Sequence, residues 1–284
     1  MIEIAPYATP APDRFGSGYL AIAHATSQRL VHTPGVAHAP YQDGYGLNYL
    51  IEGRAVCMQG DRRGELSATG LFLLDLALPS ELELPGDFEL ATLVLPRQML
   101  ERHMTHPRGL CAVALSGTQS GAARIAMSML QSLVQNYARV PAADADEMLE
   151  ELVRSMALAY GALPASGGGE TARSILLTRV RQYVLLHLQE EGISIRQMAE
   201  ANGMAEADLS ELLRLEGITL PRMIWMERLE EAHRMLAMGA LADRSVKEIA
   251  RACGFKDMSH FSSAFKARFG SGPREFRQAR RSAV

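Results

Sequence analysis

Cysteine is scarce in this chain. Cys57, Cys111 and Cys253 are scattered, form no Cys-x-x-Cys pair and are odd in number. That argues against a disulfide framework or a thiolate metal site, and for three buried thiols in a reducing compartment. Long apolar runs are missing as well. No stretch of about 18 consecutive apolar residues occurs, so no membrane-spanning helix is expected. The opening "MIEIAPYATPAPDRFG" lacks the basic-then-apolar order of a secretory signal, and with the cysteine usage it sets the expectation of a cytoplasmic protein. No Ser/His/Asp set, phosphate-binding glycine loop or dinucleotide fingerprint is present, so no enzyme is expected.

Charge of one sign is also lacking overall, since 29 Lys and Arg nearly balance 32 Asp and Glu for a net −3. Its distribution is uneven. Residues 171–284 hold 18 basic and 14 acidic residues, leaving 11 and 18 for residues 1–170. Residues 244–281 hold 10 basic against 3 acidic. An acidic front followed by a basic tail points to a C-terminal module that meets an anionic partner.

A hydrophobic content of 48% supports a sizeable core, and 284 residues suit two domains. The stretch "GALPASGGGETA", residues 161–172, reads as a linker because its proline and three consecutive glycines disfavour regular structure. Ahead of it, residues 17–115 read as short strands. Glu52-Gly53, Gly60-Asp61 and Thr69-Gly70 punctuate apolar runs, and Leu82, Leu84, Phe88 and Leu90 alternate with polar residues. This texture implies a barrel or sandwich. Residues 117–160 switch to a helical period through Ala122, Ile125, Met129, Leu133 and Tyr137. After Pro141 they continue through Leu149, Leu152, Val153, Met156 and Tyr160. This helical pair packs on the sheet or pairs with a second copy. The fold class is therefore α+β, with an all-α C-terminal half.

That half contains a repeat. "SIRQMAEANGMAEADLSELL" at 194–213 aligns with "SVKEIARACGFKDMSHFSSAF" at 245–265. In each, Ser194 or Ser245 opens a short helix, and Ser245 with Glu248 makes a capping box. Each keeps an apolar-Ala pair, Met198-Ala199 or Ile249-Ala250. Gly203 or Gly254 then ends the helix, suited to a left-handed turn. A second helix follows and buries Leu209/Leu213 or Phe261/Phe265. Helix, glycine turn and helix make a helix-turn-helix, here present twice, 51 residues apart. The intervening "TLPRMIWMERLEEAHRMLAMG" reads as one helix with Pro221 in its first turn. Such a helix can set the two units near one DNA turn apart, about 34 Å.

The segment "SVKEIARACGFKDMSHFSSAFKARFGSGPREFR", residues 245–277, resembles the signature of the AraC/XylS family of bacterial transcription regulators. "MIWMERLEEAHRMLA" resembles that family's linking helix, and the likeness covers about residues 173–281. The β-rich front resembles, more loosely, the cupin-like sensor domain of the branch with FeaR-type activators. The resemblance implies a cupin-like β-barrel with a helical pair at 1–165, a sensor that also dimerises. The composition leaves a linker at 166–172, and the resemblance implies a seven-helix DNA-binding domain at 173–284, with units at about 194–216 and 245–269 entering adjacent major grooves. The implied function is sequence-specific DNA binding that activates transcription in response to a small-molecule effector. The implied partners are promoter DNA, RNA polymerase and a second copy of the chain, with no cofactor. The alternative is a regulator controlled by a protein partner or by dimerisation alone.

On the second recognition helix, Met258, Ser259, Ser262, Ser263 and Lys266 share the face opposite Phe261 and Phe265. The resemblance places base-reading residues there. Lys266, Arg268 and His260 suit phosphates. Three departures from the family pattern stand out. Ser263 occupies a position where arginine is common. Lys256 replaces a capping serine, which leaves Asp257 to cap. Gly272 precedes Pro273. The first recognition helix differs more, with Glu206, Asp208, Glu211 and Glu216 against Arg214. Ala207, Ser210 and Glu211 fall at the contact positions that the resemblance implies, and Glu211 stands in place of a common arginine. The second unit is therefore expected to supply most of the affinity.

In the front domain no His-x-His occurs, so a cupin metal site is not expected. His103 and His106 are three apart but lack further ligands. "HAPYQDGYGLNYL" sets His38, Tyr41, Tyr45 and Tyr49 near the barrel entry as candidate effector contacts, with ordinary core or rim positions as the other reading.

Overall fold

The computed structural model describes residues 12–34, 44–165, 169–190, 192–237 and 243–281. It divides into two compact units, Met1–Thr178 and Arg179–Val284.

Among the described residues the first unit has the strands β1 Asp13–Phe15, β2 Gly18–Ala25, β3 Gln28–His32, β4 Gly44–Glu52, β5 Arg54–Gln59, β6 Arg62–Ser67, β7 Gly70–Asp75, β8 Ser80–Leu84 and β9 Phe88–Pro96. A short helix α1 (Arg97–Glu101), a 3-10 turn (Pro107–Leu110) and a two-residue strand β10 (Leu115–Ser116) follow. Helices α2 (Gly121–Asn136) and α3 (Ala142–Gly161) complete the layer. The turn signals fall where expected. Gly53, Thr69 and Gly60 take positive φ of 99°, 67° and 64° at the hairpins. A Cβ at Gly53 would lie 2.6 Å from the Asp87 carbonyl oxygen.

The expected barrel is instead two separate sheets. One has six strands in the order β1-β2-β9-β4-β7-β10, the other four in the order β3-β8-β5-β6. The reason lies in the burial pattern. Every residue of β7 is buried, as in a strand covered on both faces. Phe72 and Leu74 join Leu50, Cys57, Leu82, Leu84, Phe88 and Leu90 in one core drawn from both sheets. Leu71 and Leu73 join Tyr45, Leu47, Tyr49, Leu93 and residues of α2 and α3 in the other. The order is therefore four-stranded sheet, six-stranded sheet, helical pair. Leu82 and Leu84 face inward, whereas Glu81 and Glu83 face out beside Arg29. In α3 the expected stripe Leu149, Leu152, Val153, Met156 and Tyr160 is buried. In α2 the buried stripe is rotated to Ala123, Ala126, Met127, Leu130, Leu133 and Val134, leaving Ile125 68% exposed.

Cys57, Cys111 and Cys253 are buried and free. Burial pushes all three thiols up to about 12, so they stay protonated at neutral pH.

Among the described residues from 169 onward the helices are α4 (Gly169–Leu186), α5 (Ile195–Ala201), α6 (Glu206–Leu215), α7 (Leu220–Ala237), α8 (Val246–Ala252), α9 (Met258–Phe269) and α10 (Pro273–Arg281). Residues 169–172, read from the sequence as linker, are instead the first turn of α4. Gly169 starts it at φ 72°, and Glu170 suits the helix N-terminus electrostatically.

That first part of α4 is held within the first unit. Arg62 donates to the carbonyls of Cys111 and Arg108 at 2.9 and 2.7 Å and pairs with Glu170 at 2.8 Å. Ser174 donates to the His106 carbonyl at 3.1 Å. Asp75, fully buried, fastens the same loop, accepting from Arg97 at 2.5 Å and Arg108 at 2.7 Å. Arg97 also donates to the Tyr45 hydroxyl at 2.9 Å. Burial alone would raise the Asp75 carboxyl. The hydrogen bonds from Arg97, the Ala77 amide and Arg108 outweigh it and hold the pKa below the usual carboxylate range. Asp75 therefore stabilises the fold above the carboxylate's unfolded pKa, and that contribution is lost as pH falls through the folded value. Replacing Asp75 with Ala leaves two arginines facing each other. The expected cost to the first unit is about 3 kcal/mol, at the low end for a broken buried pair because Arg108 is half exposed. Urea unfolding of wild type and variant checks it, and the difference should shrink below about pH 4.

Candidate nucleic-acid interface

Both repeats fold as helix-turn-helix units, and local chemistry explains each boundary. Ser194 and Ser245 accept from the amides of Gln197 and Glu248. Those side chains reach back to the serine amides, completing two capping boxes. The first box was legible in the Ser-x-x-Gln spacing. Gly203 and Gly254 turn the chain at φ 64° and 85°. The two glycines differ in their surroundings. Nothing lies within 4 Å of a Cβ built on Gly203, whereas one on Gly254 meets the Leu188 carbonyl oxygen at 2.3 Å and Arg228 Nε at 2.7 Å. Arg228 in turn donates to the carbonyls of Leu188 and Glu190 at 2.8 and 2.9 Å, closing the C-terminal end of the α4 segment.

The second unit rests on an aromatic core. Phe261 and Phe265 are fully buried with Ile249, Ala250 and Cys253. Rings run in contact from Trp225 through Phe255, Phe261 and Phe265 to Phe269. Asp257 caps α9, accepting from the amides of Ser259 and His260 at 2.7 and 3.0 Å, and these bonds lower its pKa. Helix α7, about 27 Å long at 1.5 Å per residue, joins the two units. Its Glu227 pairs with Arg181 of α4 at 2.6 Å, both groups buried. Burial raises the Glu227 pKa despite the arginine.

The residues expected to meet DNA are mostly where the spacing put them. Ser259, His260, Ser263 and Lys266 are exposed on α9, and Met258 and Ser262 are half buried. Met258 packs against the aromatic core, and the Ser262 hydroxyl donates back to the Met258 carbonyl at 2.8 Å. His260 tilts against Trp225, centroids 4.5 Å apart. Arg268 is a different case. Its guanidinium is held by Glu230 of α7 at 2.9 and 3.1 Å, so it braces α9 against α7. On α6, Ala207, Ser210, Glu211 and Arg214 are all exposed. Glu211 and Arg214 form a bidentate pair at 2.7 and 2.8 Å, which lowers the Glu211 pKa and raises that of Arg214. The carboxylate expected to face DNA thus already has a cation, and the cation expected to face DNA already has a carboxylate.

In the front unit the candidate effector residues separate. His38 and Tyr41 lie outside the described residues. Tyr45 and Tyr49, 0% and 2% exposed, sit in the core between the six-stranded sheet and the helical pair. Both are core residues rather than rim residues, because β4 is covered on its two faces. His103 pairs with Glu150 at 2.6 Å. Among the described residues no group of three His, Cys, Asp or Glu is placed to hold a metal ion.

Comparison with known proteins settles the relationship. An AraC-binding-like domain matches residues 14–163, more than half the chain, and a helix-turn-helix domain matches residues 170–279. The chain belongs to the AraC/XylS family of DNA-binding transcription regulators. It is 27% identical over 272 residues to the transcriptional activator NphR of a Rhodococcus species, covering 93% of this chain and 78% of that one. It is 33% identical over 88 residues to the xylose operon regulatory protein of Escherichia coli K12, covering 31% of this chain and 22% of that one. Among solved structures, the AraC-like activator CuxR aligns over 78% of this chain and 79% of its own. The TM-score is 0.47 and the identity 15%. AraC/XylS members regulate transcription rather than catalyse, and no helix among the described residues is long and apolar enough to cross a membrane.

The two glycines provide a direct check on the construction of this DNA-binding half. Gly203→Ala should cost about 1–2 kcal/mol, the left-handed penalty alone. Gly254→Ala adds a backbone collision that the Leu188 carbonyl cannot avoid, and should cost well over 2 kcal/mol. Urea melts of the two variants measure the difference.

Proposed function

We propose that this protein is a cytoplasmic, homodimeric transcription activator whose front unit responds to a small-molecule effector and whose contact with promoter DNA and RNA polymerase switches a target operon. The observation that carries the DNA side is the small, exposed polar face of α9, formed by Ser259, Ser263 and Lys266 over a fully buried phenylalanine core. Ser259, Ser263 and the half-buried Met258 and Ser262 read base edges, and Lys266 and His260 meet phosphates. On α6, Ala207 and Ser210 approach bases weakly, and the Glu211–Arg214 pair adds no net charge toward DNA. The domain division proposed is a regulatory part at 1–165 and a DNA-binding part at 173–284. The activating direction is supported by the activator NphR, which covers most of this chain.

A second reading has an observation in its favour. Tyr45 and Tyr49, two of the four residues proposed to meet an effector, are packed in solid core. That favours control by a protein partner or by dimerisation. Thermal melting of the full chain against a panel of small acids, amines and sugars separates the two. An effector at a hundredfold its Kd should raise Tm by about 5 °C or more. A panel that moves nothing supports control without a small molecule.

A further inference from the structure

The helix α4 belongs to both compact units. It runs from Gly169 to Leu186, and the first unit ends inside it, at Thr178. Its first two turns are fastened to the turn between α1 and β10. Arg62 of β6 supplies three bonds at once, to the carbonyls of Arg108 and Cys111 and to the Glu170 carboxylate. Ser174, 1% exposed, donates to the His106 carbonyl. A Cβ on Gly109 would collide with the Ser174 hydroxyl and lie 2.9 Å from the Glu170 carbonyl oxygen. Turn and helix therefore meet with no room for a methyl group.

The turn itself is held away from relaxed backbone. His106 and Ala112, at its two ends, take φ of 51° and 58°, the left-handed region that a Cβ disfavours. Such conformations persist only where the surroundings impose them. Here the surroundings come from several elements. Arg108 pairs with the buried Asp75 of β7, and the Ala112 amide donates to the Leu73 carbonyl of the same strand. Just upstream, Arg102 and His103 both bond Glu150 of α3. Segment 97–112 thus joins the six-stranded sheet, the helical pair and the start of α4, and it carries strain that these bonds hold in place.

We propose that the clasp of Arg62 and His106 on Glu170 and Ser174 couples the state of the front unit to DNA binding. The proposal rests on the DNA-binding reading and names the regulation of it. An α-helix is stiff along its axis, so a shift of the first turn of α4 is carried to its last, about 27 Å away. Residues 179–186 of that helix lie in the second unit. There Arg181 pairs with Glu227 of α7, and α7 carries Trp225 against His260 of α9. The clasped turn thus reaches the recognition helix through one intervening helix. Such coupling is reciprocal: if the front unit alters DNA affinity through the clasp, bound DNA must alter the clasp.

The test is amide hydrogen exchange of the full chain, read by mass spectrometry with and without a fluorescein-labelled 40-base-pair duplex, with saturation followed by anisotropy. The reporters are the amides of Gly109, Cys111 and Ala112, each bonded to a backbone carbonyl. Bound DNA should change the exchange rate of segment 106–112 by at least about fivefold, the small end of allosteric couplings. Glu170→Gln removes the charge that Arg62 pairs with, and there the response should be lost while the duplex still binds. The Glu170 side chain is half exposed, so this variant should melt as wild type does. A bound duplex that leaves segment 106–112 unchanged in wild type overturns the proposal, as does a Glu170→Gln response equal to that of wild type. No anisotropy rise in wild type overturns the DNA-binding reading beneath it instead.

Discussion

One backbone position organises the DNA-binding half. Gly254 turns the chain at φ 85°, and the Leu188 carbonyl and the Arg228 guanidinium occupy the space that a Cβ there would need. Those two groups are already bonded to each other, so the turn of the second unit closes against a contact that joins the end of the α4 segment to the middle of α7. The phenylalanine ladder then sets the roll of α9, and the roll decides which side chains face outward. The first unit has the same turn without the same contact, since Gly203 has open space where Gly254 has a neighbour. The two copies of the motif are thus not equivalent. The second closes through its turn on the end of the α4 segment and on α7, and the turn of the first makes no such contact.

Electrostatics deepens the asymmetry. Lys266 projects from α9 with Arg251 and Lys256 on the adjoining surface, whereas the cation of α6 is closed in a bidentate pair with Glu211. An anionic duplex approaching both units meets a field from the second that the first does not match. Arg268 shows the limit of counting charges, because a long-range partner on α7 turns it from a candidate phosphate contact into a brace.

The C-terminal half was legible in the sequence because its determinants are local. Caps, turn glycines and the i, i+4 phenylalanine pair all lie within a few residues, and the repeat at 51 residues doubled the signal. What escaped was non-local. The Glu230–Arg268 pair spans 38 residues. The Glu211–Arg214 pair is local and its spacing was there to be read. In the front half, alternation located Leu82, Leu84, Phe88 and Leu90 but could not assign the fully apolar β7 to two faces, so two sheets and a helical layer resembled a barrel. For the same reason Tyr45 and Tyr49 looked like rim aromatics, when helices cover that side of β4. The phase error in α2 arose because alanines, not the larger Ile125, line its buried side.

On the proposed mode of DNA binding, the second unit supplies most of the affinity and the first supplies little. Titration of a promoter fragment with two full-length variants tests it most directly. Lys266→Ala should weaken binding about fivefold near 150 mM salt, the loss of one phosphate contact. Glu211→Arg should strengthen binding, because it removes a carboxylate and releases Arg214. Affinity unchanged in both variants, or a larger loss from Ser210→Ala on α6 than from Lys266→Ala on α9, would contradict the account.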